Sequence, residues 1–400
     1  MVSADISLHL WRGADLAAGT HVGTLGSPGG LRYDEAAGCR RYTDPFGDGT
    51  PRSYTWTAWV SPEVHPGHAF TDLVPSWNAR TPDGSWIEVE ARTSDDGVHW
   101  SRWWVLGRWA ETDTAIHPTT LRGQTDDHAT VRVEELIAAD GTCWQAYQLR
   151  VTLLRPDGSD ARPSLSLLGA VVTAGAPADP ASSRPGGVGH GREVTVPAYS
   201  QQVHRGEYPH WDSGGQSWCS PTSTTMVLGT WGPGPTPEEY AWVEPEYRDR
   251  FVDHAARFTF DHAYGGAGNW AFNTAYAALH GTEAFVTRLH DLADVEEYVA
   301  AGLPLVASVA FEEGELPGAG YRTSGHLLVV VGFDEHGDVI VNDPASHTIP
   351  SNDEVRTVYP RAAFEKVWMR SRGIVYVIHP PDVPLPDVPL PDVPRPATTP

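Results

Sequence analysis

With 400 residues the chain is too long for one ordinary hydrophobic core, and a formal net charge of −23 disfavours binding to nucleic-acid phosphates or to an anionic membrane surface. A hydrophobic content of 40% with 16 Trp belongs to a folded globular protein rather than a disordered one. Lys366, the sole lysine, follows Glu365, so no Gly-Lys-Ser/Thr phosphate loop exists and no nucleotide is expected.

The start Met1-Val2-Ser3-Ala4-Asp5-Ile6 shows neither a basic n-region nor a long apolar stretch, and no membrane span follows. This predicts a cytoplasmic protein as the sequence is written, or a secreted one if a leader precedes it. Cys39, Cys143 and Cys219 are an odd number without Cys-x-x-Cys spacing, which argues against a disulfide framework. If the protein is exported, Cys39 and Cys143 are the pair that could bridge. The 18 His are scattered and form no His-Glu-x-x-His run, so no metal site is expected.

Residues 1–178 read as an all-β accessory domain. Trp86–Arg92, Thr130–Val133 and Tyr147–Leu153 alternate apolar and polar residues for most of their length, and turns such as Thr81-Pro82-Asp83-Gly84 and Arg155-Pro156-Asp157-Gly158 separate them. Short strands at this spacing predict a β-sandwich, jelly-roll-like in connectivity. Trp56, Trp59, Trp77, Trp100, Trp103 and Trp104 either fill its core or offer a glycan- or protein-binding face, and core packing is the commoner use. Residues 179–194 have the Ala, Gly, Pro and Ser composition of a linker.

Residues 195–379 mix helix and strand: helices are predicted over 220–231, 237–257, 268–280 and 291–302, and strands over 304–311, 326–333, 338–342 and 373–378. Helices first and sheet later is an α+β order. The repeated Pro-Asp-Val-Pro of residues 380–400 predicts an extended tail without a core.

One segment of this second region carries chemistry. In Trp218-Cys219-Ser220-Pro221-Thr222-Ser223 a thiol stands at a helix start, because Pro221 suits the first turn and the apolar run Met226-Val227-Leu228 follows. A thiol there faces unpaired backbone N–H groups and the positive end of the helix dipole, which favour thiolate and later an oxyanion. A base is available at His326, which enters a predicted β-hairpin whose turn lies at Asp334-Glu335-His336-Gly337 and whose exit is Asn342-Asp343-Pro344. Pairing centred on Glu335 and His336 sets His326 opposite or diagonal to residues 343–345, where Asp343 orients the imidazole. Beside these, Tyr264–Trp270 and Gly314–Ser324 either line a substrate groove or simply connect elements.

Three blocks carry a family resemblance: Val196-Pro197-Ala198-Tyr199-Ser200-Gln201, the Cys219 helix start, and Gly325-His326 through Asn342-Asp343-Pro344. Residues 195–379 resemble the peptidase C39-like family (bacteriocin-processing, double-glycine peptidase-like) of papain-like cysteine peptidases. The resemblance implies a papain-like α+β fold, no metal or organic cofactor, and a peptide or protein substrate. It further implies an oxyanion-hole glutamine upstream of the cysteine; Gln201 lies in the matching block, and Gln216 is its rival by proximity. A Ser-Pro pair follows Cys219 where many relatives have Gly-Pro. The expected activity is hydrolysis of a peptide bond through a Cys219–His326–Asp343 triad and a thioester acyl-enzyme. Two alternatives remain on the same residues: an acyl transferase or amidase acting on wall peptides, and a vestigial site in a glycan- or protein-binding module.

Overall fold

The computed structural model describes residues 5–175, 186–232, 234–386 and 388. These fall into two compact units, residues 5–175 with 262–264, and 186–261 with 265–388.

The first unit is all-β. Its strands are β1 (Ile6–Arg12), β2 (Thr20–Val22), β3 (Thr24–Ser27), β4 (Gly30–Tyr33), β5 (Gly38–Tyr42), β6 (Arg52–Val60), β7 (Asp72–Arg80), β8 (Trp86–Ser94), β9 (Trp104–Trp109), β10 (Ala129–Arg132), β11 (Glu135–Ala138), β12 (Ala146–Pro156) and β13 (Ser164–Thr173). One sheet runs β10-β11-β7-β13-β4-β3 with β1 also on β13, and the other runs β2-β6-β12-β8-β9 with β5 also on β6. The pairings between these strands are antiparallel, and the strand order shows the chain passing repeatedly from one sheet to the other.

The two-residue strand period decides what each face holds. Along β8, Ile87, Val89 and Ala91 are buried in the core, while Glu88 and Glu90 on the other face are ion-paired, Glu88 with Arg40 and Arg108 and Glu90 with Arg150. Trp11 of β1 packs edge-on against Trp59 of β6 with ring centroids 5.7 Å apart, joining the cores of the two sheets. Trp59, Trp77 and Trp104 are fully buried, whereas Trp56, Trp100 and Trp103 are half-buried. The Arg92 guanidinium lies 4.8 Å from the centres of both Trp100 and Trp103. Cys39 and Cys143 are exposed and unpaired, so the bridge considered for them is not formed.

The second unit adds β14 (Arg192–Glu193), α1 (Cys219–Trp231), α2 (Phe251–Phe258), α3 (Trp270–Ala278), β15 (Glu283–Arg288), α4 (Leu292–Ala300), β16 (Leu305–Phe311), β17 (Thr323–Phe333), β18 (Val339–Asn342), β19 (Arg356–Tyr359), α5 (Arg361–Trp368) and β20 (Ile374–His379). Its sheet is ordered β15-β20-β16-β17-β18-β19, with β14 on β17. The unit is α+β with few helices. Among the described residues no helix is long and apolar enough to cross a membrane.

Two expectations need correction. Of the helix predicted over 237–257, only its C-terminal part forms, as α2, because Pro245 removes a backbone donor and disfavours helix at Glu244. The linker composition of 179–194 also runs past the linker, since Arg192 and Glu193 pair with Phe333 and Gly332. Gly187 and Gly189 donate their N–H groups to Glu296 on α4. The remaining part of that linker, 179–185, and the tail at 387 and 389–400 lie outside the described residues.

Candidate active site

Cys219 is the first residue of α1, and every residue from Cys219 to Leu228 is buried. A helix so enclosed has to satisfy its many hydroxyls internally. Thr222 Oγ1 donates to the Trp218 carbonyl at 2.6 Å, Ser223 Oγ to the Leu327 carbonyl at 3.1 Å, and Ser220 Oγ lies 2.9 Å from the Tyr376 phenol. The first-turn N–H groups of Cys219 and Ser220 have no acceptor within their own helix, as at any helix start.

His326 lies on β17, paired across the ladder with Val309 of β16. On its other side β17 pairs with β18 in the register Val329↔Asn342, which continues to place His326 diagonal to Asp343. His326 Nε2 is 2.8 Å from Asp343 Oδ1. That contact leaves Nδ1 as the ring's other nitrogen, and Cys219 is near enough to influence the charge of the ring. Cys219, His326 and Asp343 are 9%, 4% and 2% exposed, so all three are largely closed to water.

Burial alone would drive the proton off His326, but the Asp343 charge, then Cys219, reverse this and raise the pKa from 6.5 to about 10. Asp343 is held below the ordinary carboxylate range: burial pushes it up, and His326, Tyr321 and Tyr359 more than offset that. The carboxylate is fully furnished with donors. Tyr321 and Tyr359 each donate to Oδ2 at 2.7 Å, and the Ala345 N–H donates to Oδ1 at 2.9 Å. The Tyr321 ring also meets His326 edge-on at 5.5 Å.

Gln201 is buried and bridges the parts of the site. Its N–H donates to the Pro344 carbonyl at 2.9 Å, and its side-chain Nε2 donates to the Gln216 carbonyl at 2.6 Å. Gln216 contributes that main-chain oxygen while its own side chain is exposed. The two glutamines considered from sequence thus touch each other, and only Gln201 turns an amide inward.

Of the two segments considered as groove walls, Gly314–Ser324 brings Tyr321 to Asp343, and Tyr264–Trp270 is tied by the Ala267 N–H to Asp212 Oδ2 at 3.1 Å. Sequence reasoning missed Tyr321 and Tyr359. Neither stands in a motif, and their common target Asp343 is 22 and 16 residues away.

Fold and site together define a chain of two domains, all-β then α+β, with a thiol, an imidazole and a carboxylate gathered at a helix start and a sheet. Residues 193–376 match the Peptidase_C39 like family and residues 7–173 match the Peptidase C39 N-terminal domain. The C-terminal domain belongs to the peptidase C39-like family, and the N-terminal domain is of the kind that accompanies it. No curated protein matches the chain.

Proposed function

We propose that the C-terminal domain is a papain-like cysteine peptidase that cleaves a peptide bond through Cys219, His326 and Asp343. The observation that carries this reading is the imidazole of His326, whose Nε2 lies 2.8 Å from Asp343 Oδ1 and on which Cys219 also acts. In the resting site the thiol proton passes to Nδ1, giving a thiolate and an imidazolium. The thiolate attacks the scissile carbonyl carbon, and the oxyanion is received by N–H groups at the start of α1 and by the Gln201 amide. His326 then protonates the departing amine, leaving a thioester. A water deprotonated by the same ring hydrolyses it and restores the thiol. Asp343 stabilises the imidazolium throughout and holds its tautomer.

The strand order of the first domain, β1-β13-β7-β11 in one sheet and β6-β12-β8-β9 in the other, supports reading it as a jelly-roll sandwich. It contains no comparable catalytic grouping among its described residues, so we assign it an accessory part.

The test is the pH dependence of iodoacetamide alkylation at Cys219 in the native protein and in His326→Ala. Rapid alkylation below about pH 7 that disappears in the variant is expected. Slow alkylation rising only near the ordinary thiol pKa of about 8.5, and unaffected by the substitution, removes the peptidase reading.

A further inference from the structure

Behind the catalytic helix lies a second cluster that the proposed chemistry does not use. His204 closes the short helix Gln201–His204, Glu207 follows three residues later, and Asp253 projects from α2. One ligand atom from each lies within 4.8 Å of the other two. His204 Nδ1 is 2.8 Å from Glu207 Oε2 and 3.3 Å from Asp253 Oδ2. The side chains of His204 and Asp253 are completely buried and that of Glu207 is 12% exposed.

Two further observations point to a ligand. The buried Asp253 carboxylate makes no well-formed hydrogen bond: Oδ1 meets no donor and Oδ2 only the His204 ring at 3.3 Å, although a buried carboxylate ordinarily collects several donors. Charge is the second. Two carboxylates around one imidazole keep a net negative charge even with the ring protonated, which is costly away from water, whereas a divalent cation on a neutral ring balances the cluster. The separations of 2.8 and 3.3 Å from His204 Nδ1 to the two carboxylates also suit a small ion bound at about 2.0–2.2 Å from each ligand atom.

We propose that His204 Nδ1, Glu207 and Asp253 bind one divalent transition-metal ion of the zinc class. An imidazole ligand favours such an ion over magnesium or calcium, which take oxygen shells. Binding displaces the Nδ1 proton to solvent and leaves both carboxylates as anionic ligands. The ion would pin the Gln201–His204 segment to α2. It would also sit under Trp218, whose ring centroid is 5.9 Å from that of His204 and which immediately precedes Cys219. Gly215 permits this closeness, because a Cβ there would stand 2.3 Å from the His204 Cβ. Metal at this place braces the approach to the nucleophile without touching it. The proposal stands independently of the peptidase assignment.

The test uses the full chain carrying Cys219→Ser, stripped with a chelator, then titrated with Zn2+ by calorimetry and with Co2+ by absorption. One saturable equivalent is expected, with Co2+ d–d bands and no thiolate charge-transfer band. Asp253→Asn should abolish it, and Glu207→Gln should weaken it at least about tenfold. Absence of a saturable equivalent overturns the proposal, as does an equivalent that persists in Asp253→Asn or shows thiolate charge transfer. Should Asp253→Asn fail to fold, unchanged affinity in Glu207→Gln is the overturning result.

Discussion

Ser223 Oγ donates a hydrogen bond of 3.1 Å to the main-chain carbonyl of Leu327. Ser223 stands one helical turn beyond Cys219, and Leu327 immediately follows His326, so a single contact joins the element of the thiol to the element of the imidazole. Ser223→Ala removes a buried donor and should destabilise the domain by about 1–3 kcal/mol, measured as a lowered urea midpoint at constant slope. It should also slow Cys219 alkylation at neutral pH. A variant as stable and as reactive as the parent would show that the helix and strand are registered by apolar packing alone.

Asp343 depends on its two phenols. Tyr321→Phe and Tyr359→Phe each withdraw one donor from Oδ2 while keeping the ring, and the carboxylate should become a poorer stabiliser of the imidazolium. The acid limb of the pH–rate profile should move upward in each variant, because Asp343 is then easier to protonate. Loss of turnover with an unchanged pH profile would assign the tyrosines a purely structural part.

His326 makes stability depend on pH at the alkaline end. Its folded pKa of about 10 exceeds the ordinary 6.5, so its contribution is fully present below about 6.5 and is lost as pH rises through about 10. Asp343 has a depressed pKa, so its contribution is present above the ordinary carboxylate value and is lost as pH falls below it. Urea unfolding from pH 6 to 10 should show the native protein losing its advantage over Asp343→Asn as pH rises. A constant difference across that range would refute the linkage.

Gln201 is expected to act only when charge develops on the substrate oxygen. Gln201→Ala should lower kcat by about 10²–10³ while leaving alkylation of Cys219 close to native, since alkylation creates no oxyanion. Equal losses in both assays would mean that Gln201 serves instead to hold the Gln216 carbonyl ahead of the helix.

Much of the site was legible because it is local. The apolar runs on either side of Asp334-Glu335-His336-Gly337 set the hairpin register, and register arithmetic brought His326 to Asp343 across 17 residues. Helix α5 was also readable in principle, since Phe364, Val367 and Trp368 recur at helical spacing and are buried, yet it was not anticipated. Strands β15 and β19 escaped as well; Glu283–Arg288 and Arg356–Tyr359 mix charge with β-branched residues, and only their sheet partners make them strands. Residues 237–250 erred the other way, their polar helix-formers outweighed by Pro245.

Residue order alone placed a thiol at a helix start and an imidazole within reach of a carboxylate, because capping chemistry and strand register act over a few residues. Tertiary structure decided the rest. It buried the Gln201 side chain and exposed that of Gln216, brought Tyr321 and Tyr359 to one oxygen of Asp343, and set Asp253 beside His204. Each of these joins segments whose separation in sequence carries no local signal. They meet only because the sheet and its helices must close around a common core, and that closure determines which polar groups lose water and must find one another.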